Sequence, residues 1–287
     1  MNRSCTASVA VLEPEISQIR EILQNYAGTV IPKSSEELEK NLAQYLVAND
    51  FSNAADFVNK LRRNASDCDA LLGELVPANT SFFRYPDAFT ALEKQIVPEI
   101  VERKALRGDC SLRIWSAGCA TGEEAYSIAM SVCEALNESN GGWKLHIVAS
   151  DLCAEALKFA ARGVYEEHAI RDLPPHLVSA YFSSIAQQYM VKARLRNLVS
   201  FTRTNLTNPE FLGHFDCIFC MGVLPYLSTQ HRTTLLQRLH MFLEPGGYLF
   251  LGQSEKIPAA GVSFVTENYL SYTFLRRPMA AAARSGR

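Results

Sequence analysis

Ile114-Trp-Ser-Ala-Gly-Cys-Ala-Thr-Gly-Glu-Glu-Ala-Tyr-Ser127 decides how the rest of the chain is read. Leu112-Arg-Ile-Trp-Ser116 reads as a short strand. Gly118 and Gly122 mark a loop. From Glu123 to Leu136, the residues Ala125, Ile128, Ala129, Val132, Cys133 and Leu136 fall on one helical face. A strand that ends in a glycine loop and passes into a helix is how a doubly wound sheet cradles a nucleotide-like group. Gly118 and Gly122 let the backbone approach a ligand without side-chain clash.

The spacing is Gly-x-x-x-Gly rather than the dinucleotide Gly-x-Gly-x-x-Gly. Glu123 and Glu124 open the helix where a phosphate would otherwise bind. Acids at that point repel phosphate and suit a cationic ligand. S-adenosylmethionine, which carries an ammonium and a sulfonium, fits better than NAD or ATP. The plainer alternative is that acids favour any helix start through the macrodipole. Asp151 follows the strand Trp143 to Ser150, where an acid accepts hydrogen bonds from the ribose hydroxyls of an adenosine cofactor. Its alternative is a helix N-cap ahead of Ala154 to Ala161.

Downstream the alternation continues. Phe215 to Met221 is a strand, Arg232 to Leu243 a helix stopped by Pro245-Gly246-Gly247, and Tyr248 to Gly252 another strand. Phe264 to Leu275 is a final β-rich stretch. Strands alternating with helices imply a parallel α/β sheet. One segment, Tyr189 to Phe201, breaks the alternation and reads as two short strands around Arg196-Asn197, a small inserted hairpin.

Upstream, residues 1–75 read as helices. Ile16, Ile19, Ile22 and Leu23 share one face, as do Leu38, Leu42, Tyr45 and Leu46, and again Ala54, Val58 and Leu61. Ser34 or Ser35 is the N-cap candidate for the second helix. Between the helical part and the α/β part stands Asn79-Thr-Ser-Phe-Phe-Arg84. An arginine beside two aromatics can hold a carboxylate in fixed geometry, although a surface arginine on an apolar hinge is the commoner use of such a run.

With 287 residues, 48% of them hydrophobic, and a formal net charge of −2, the chain is an ordinary globular protein with no basic excess to call for nucleic acid. No run of about 18 apolar residues exists for a membrane span, so no membrane insertion is expected. The eight cysteines include one close pair, Cys217 and Cys220. Their odd separation on a strand points them to opposite faces, which argues against a shared metal and for reduced core thiols. Met1 to Ile16 has no signal-peptide pattern, so a cytoplasmic location is expected.

Taken together, these runs resemble the CheR-type chemotaxis receptor protein-glutamate O-methyltransferases over about residues 70 to 277. The specific points are Thr80 to Arg84, Ser116 to Ser127, Ala149-Ser-Asp151, Ala161-Arg-Gly-Val-Tyr165, Tyr181-Phe182 and Asn205-Leu206. Phe215 to Cys220, Pro245 to Phe250 and Gly252-Gln-Ser-Glu255 complete them. The resemblance implies an α/β, Rossmann-like S-adenosylmethionine-dependent methyltransferase sheet with an all-helical N-terminal domain and a small inserted β-subdomain. The expected boundaries are 1–75 for the helical domain, 76–110 for a linker and connecting helix, and 111–277 for the methyltransferase domain. The inserted hairpin is expected at 183–201, and 278–287 is a flexible tail.

Carried over residue by residue, the family's cofactor contacts fall on Thr80, Arg84, Glu124, Asp151, Asn205, Leu206, Cys220 and Met221, beside Gly118 of the loop. Its active-site tyrosine falls on Tyr226, and Arg84 stands near the transferred methyl group. The chain departs from the pattern at Met221-Gly222, where the family usually has Arg-Asn, at Pro225-Tyr226-Leu227, where it usually has Ile-Tyr-Phe, and at Ala78, where it usually has asparagine.

The implied reaction is attack of a glutamate carboxylate on the cofactor's methyl carbon, leaving S-adenosylhomocysteine. The implied partner is a chemoreceptor-like protein and the implied state a monomer. Residues 1–75 carry seven Lys/Arg against eleven Asp/Glu, so long-range attraction to an acidic receptor bundle is not expected. Ser183 to Tyr189 holds no glycine, so docking on a receptor's C-terminal pentapeptide is not expected either. Two other readings stay open: a methyltransferase of this fold with another carboxylate or small-molecule substrate, and a cofactor-binding signalling module without turnover.

Overall fold

The computed structural model describes residues 9–76, 79–137, 142–185, 187–209, 212–253, 255, 257 and 261–279. Cys5, Ala78 and nearly all of the expected 278–287 tail lie outside the described residues. The chain forms two compact units. One takes the residues before Asn79 together with Pro225–His231, and the other takes Asn79–Leu224 and the residues from Arg232 onward.

In the smaller unit, α1 (Glu13–Ala27), α2 (Ser35–Ala48), α3 (Ala54–Leu61) and α4 (Ala65–Leu75) follow one another. Helix α1 touches the other three. It buries Ile16, Ile19 and Leu23, while α2 buries Leu38, Leu42 and Leu46 and α3 buries Phe57, Val58 and Leu61. Local chemistry sets the helix ends. Gly28, at φ 65°, closes α1 in the left-handed region. Ser34, not Ser35, caps α2, and it forms a reciprocal capping box with Glu37. Asn53 and Asn64 cap α3 and α4. The segment Pro225–His231 is stitched to this unit by backbone bonds: Val30 N–H to the Tyr226 carbonyl (2.7 Å) and Ser228 N–H to the Gly28 carbonyl (3.0 Å). Leu227 is buried there.

The larger unit starts with α5 (Pro86–Ala91), which runs through a π-helical turn at Leu92–Ile96 into α6 (Val97–Ala105). Then come β1 (Ser111–Ala117), α7 (Glu123–Asn137), β2 (Lys144–Asp151), α8 (Ala154–Arg162) and β3 (Val164–Glu166). Next are α9 (Glu167–Ile170), α10 (Pro175–Tyr181), β4 (Phe182–Ile185), β5 (Gln188–Val191), α11 (Ala193–Arg196) and β6 (Val199–Arg203). β7 (Phe215–Cys220), α12 (Thr229–Phe242, in this unit from Arg232 onward), β8 (Leu243–Leu251), β9 (Val265–Tyr269) and β10 (Tyr272–Arg276) complete it.

Seven strands form one sheet in the order β6-β2-β1-β7-β8-β10-β9. The first five run parallel, while β10 and β9 are antiparallel additions. Every residue of β7 is buried, as expected for a central parallel strand covered on both faces. Phe219 stacks on Phe250 at 4.1 Å and on Phe89 at 5.8 Å, tying the sheet to α5. Buried Asp216 is offset by Lys104 at 3.0 Å and accepts the Arg113 N–H. The strand order reverses at β1, so the carboxyl ends of β1, β2 and β7 open at the topological switch point, where ligands bind in such sheets.

A second, three-stranded sheet has the order β3-β5-β4. The insertion expected at 183–201 is corrected here. The β4–β5 pairing runs from Phe182 opposite Val191 to Ile185 opposite Gln188, so the turn lies near 187 and not at Arg196-Asn197. Ala193–Arg196 is a helical turn that buries Leu195, and Val199–Arg203 is an edge strand of the main sheet, paired with β2. The alternation of Lys192, Arg194 and Arg196 imitates a strand, but burying Leu195 needs a turn of helix.

Candidate active site

The glycine loop leaves β1 at Ala117 and enters α7 at Glu123. The N–H groups of Gly118 and Cys119 both donate to the Ser150 carbonyl, at 2.8 and 2.9 Å, which ties the loop to the end of β2. Gly118 takes φ 89°, and a Cβ there would lie 2.5 Å from the Val223 Cγ2 atom. The loops after β1 and β7 therefore meet only because position 118 has no side chain. Ala120 takes φ 45°, a conformation that costs a non-glycine residue about 1 kcal/mol or more.

Asp151 explains how Ala120 is held. Its Oδ2 accepts the Ala120 N–H at 2.8 Å, and its Oδ1 accepts the Cys153 N–H at 2.9 Å. Cys153 is the residue that precedes α8, and no side chain caps that helix, so Asp151 is not its N-cap. Burial pushes the Asp151 carboxyl above its ordinary range, and the backbone donors pull it back.

The two acids at the start of α7 part company. Glu123 is buried and accepts the Thr121 hydroxyl at 2.7 Å. Glu124 accepts the Ser116 hydroxyl at 2.7 Å, at the end of β1. Burial pushes the Glu124 carboxyl up to about 7; the Ser116 bond opposes this, the negative charge of Glu255 adds to it, and the positive charge of Arg84 opposes it.

Arg84 is set by its neighbours in sequence. Phe82 is buried edge-on against Tyr165, with ring centres 4.9 Å apart. Phe83 sits at φ 49°, and its N–H donates to the Ser127 hydroxyl of α7 at 3.0 Å. With both aromatics anchored, the Arg84 guanidinium donates to the Asn79 carbonyl at 2.6 Å and lies 5.4 Å from the centre of the Tyr85 ring. Its Nη1 stands 3.1 Å from where a Cβ of Gly222 would be.

Glu255 joins this group, and sequence reasoning missed it as a site residue. It accepts the N–H groups of Leu224 (3.1 Å) and Gly252 and feels the positive charge of Arg84. The available signal was an acid three residues after Gly252, just beyond the end of β8.

The remaining expected residues divide. Thr80 is half-buried four residues before Arg84. Asn205 begins the loop after β6; its side-chain oxygen accepts both the N–H and the hydroxyl of Thr207, and half-buried Leu206 lies between them. Thr204 N–H donates to the Asp151 carbonyl, which draws that loop to the end of β2. Cys220 is fully buried, with its thiol pushed far up by burial, and Met221 is 7% exposed. Both side chains belong to the core, so what they offer a ligand is backbone. Tyr226 is not brought together with these groups within the larger unit; by its packing it belongs to the helical unit.

Does this arrangement fit a sulfonium cofactor? Two carboxylates, Glu124 and Glu255, outnumber one guanidinium, and Asp151 stands at the end of β2. The loop offers acids at the helix start, so the donor set favours a cation over a phosphate.

A family model described as CheR methyltransferase, SAM binding domain, matches residues 78–270. The chain is 30% identical over 256 residues to a chemotaxis protein methyltransferase of Borreliella burgdorferi, covering 87% of this chain and 90% of that protein. It is 31% identical over 245 residues to chemotaxis protein methyltransferase 1 of Pseudomonas aeruginosa, covering 83% and 88%. It is 30% identical over 259 residues to the chemotaxis protein methyltransferase of Escherichia coli, covering 87% of each. With a loop, an acid and an arginine placed as above and a match over most of its length, the chain belongs to the CheR family of S-adenosylmethionine-dependent methyltransferases.

Proposed function

We propose that this enzyme methylates glutamate side chains of a chemoreceptor-like protein in the cytoplasm, giving glutamate methyl esters. The observation that carries the reading is Arg84. A guanidinium is held over Gly222, with the half-buried carboxylates of Glu124 and Glu255 in its field, within the domain that binds the methyl donor. It is the group suited to orient an incoming carboxylate.

When bound, S-adenosylmethionine supplies a methyl group activated by its sulfonium. Asp151 and Glu124 would hold the adenosine end and the cationic end, with Thr80, Gly118, Asn205, Leu206 and the backbone of Cys220 and Met221 completing the set. A glutamate carboxylate, with a solution pKa near 4.3, is ionised at neutral pH and needs no general base. What remains is alignment and exclusion of water, and alignment is worth roughly 7–11 kcal/mol. Arg84 orients the carboxylate, and the family's active-site tyrosine corresponds to Tyr226. The glycine-free Ser183 to Tyr189 stretch supports recognition without a pentapeptide tether.

The test is methyl transfer from labelled cofactor to a receptor cytoplasmic fragment, followed by methanol release in base. Label that comes off in base, and is lost when the receptor's glutamates are changed to alanine, supports the reading. Cofactor binding with no base-labile product on any receptor fragment overturns the substrate, leaving another carboxylate or a non-catalytic module.

A further inference from the structure

Glu255 makes an unusual set of contacts for an acid at a strand end. One oxygen takes the Leu224 N–H at 3.1 Å and the other takes the Gly252 N–H. A single side chain thereby joins the loop after β7 to the loop after β8. Two backbone donors, one on each oxygen, favour the ionised form against burial, which pushes the Glu255 carboxyl above its ordinary range.

Gly222 is the next link. It takes φ 75°, and the Arg84 Nη1 rests 3.1 Å from its missing Cβ. The guanidinium is thus laid over the loop whose Leu224 N–H Glu255 accepts. Among the described residues Arg84 makes one hydrogen bond, to Asn79, and no direct ion pair. Its remaining N–H groups are not used up by protein carboxylates.

We propose that Glu255 is the positioning residue for Arg84: it fixes the Gly222–Leu224 backbone on which the guanidinium rests and leaves the guanidinium's other donors for the substrate carboxylate. This rests on the methyl-transfer reading above. It also accounts for the glycine at 222, since a side chain there pushes the guanidinium aside.

The test uses the full chain. Glu255→Gln keeps the shape, removes the charge and sets an amide N–H₂ against one of the backbone donors. The expected result is a fall in kcat of about 10-fold or more, with S-adenosylhomocysteine affinity changed by less than about 3-fold. Glu255→Asp, which keeps the charge on a shorter stem, recovers part of kcat. Gly222→Ala lowers kcat in the same way. A second readout needs no substrate. Glu124 is faced by Glu255 and by Arg84, with Ser116 bonded to it and Cys220 and Tyr272 as titratable neighbours. Removing the Glu255 charge therefore moves the acid limb of S-adenosylmethionine binding to lower pH. A loss of loop packing alone leaves that limb in place. Wild-type kcat and an unmoved limb in folded Glu255→Gln overturn the proposal. If no receptor fragment is methylated, the binding limb still decides whether Glu255 couples to the site, so the two failures are told apart.

Discussion

Asp151 holds Ala120 in the left-handed region: the carboxylate accepts the Ala120 N–H at 2.8 Å while the residue sits at φ 45°. The acid at the end of β2 thus has a structural duty before any ligand arrives. Asp151→Ala leaves the N–H groups of Ala120 and Cys153 without their acceptor, at about 1–3 kcal/mol for a buried donor. We expect a lower unfolding midpoint together with loss of S-adenosylhomocysteine binding by calorimetry. Full stability with lost binding would show that the ribose is its only business.

Glu124 makes the site sensitive to pH. Its carboxyl is pushed up to about 7 from an ordinary 4.5, so the folded chain holds this proton more tightly than the unfolded one. Ionising it works against folding. Stability contributed by the bound proton is therefore lost as pH rises between those values, by up to about 3 kcal/mol. Glu124→Gln removes this part of the slope, so the variant gains on the wild type at pH 8 in denaturant titrations.

The same proton opposes the cofactor. A cationic ligand needs Glu124 ionised, so S-adenosylmethionine affinity should rise with pH up to about 7, by as much as about 10-fold per pH unit. Calorimetry at pH 6 and pH 8 reads this directly. Glu124→Gln should bind weakly with a flat profile; a steep profile in that variant would assign the titration to another group.

Arg84→Ala should lower kcat by about 100-fold or more while changing S-adenosylhomocysteine affinity by much less. Arg84→Lys should recover little, because an ammonium lacks the planar fork that orients a carboxylate. A near-normal rate in the alanine variant would remove Arg84 from the reaction.

Phe219 lies between Phe89 and Phe250 at the centre of the sheet, fully buried. Phe219→Ala should cost about 3–5 kcal/mol, measured by urea unfolding, because the surrounding rings cannot close the gap.

Much of the larger unit was legible because its signals are local. The run from Ile114 to Ser127 combines a period-two strand, two glycines and a period-3.6 helix, and each maps onto β1, the loop and α7. Helical faces such as Ile16, Ile19 and Leu23 were legible for the same reason. What failed depends on distant partners. Val199–Arg203 is an edge strand only because β2 is beside it, and Leu195 forms a turn only because a core lies beneath it. Glu123 and Glu124 are adjacent acids of one type, and only the placement of Thr121 and Ser116 gives them different duties. Glu255 was quoted as part of a motif, but its role rests on backbone groups of the Gly222–Leu224 loop, some thirty positions earlier in the chain.

The stitching of Pro225–His231 to Gly28 and Val30 bears on how the protein can be taken apart. The helical unit is discontinuous in the gene, because one of its pieces is encoded between a core strand and a core helix of the other unit. A fragment starting at Asn79 would carry Leu227 with no apolar neighbours of its own unit, and a fragment of the first four helices would leave the Val30 N–H unpaired. Cutting between the units therefore spoils both halves. Exchange of the helical part among relatives must be made with two splices, so that residues 225–231 travel with the helices they complete.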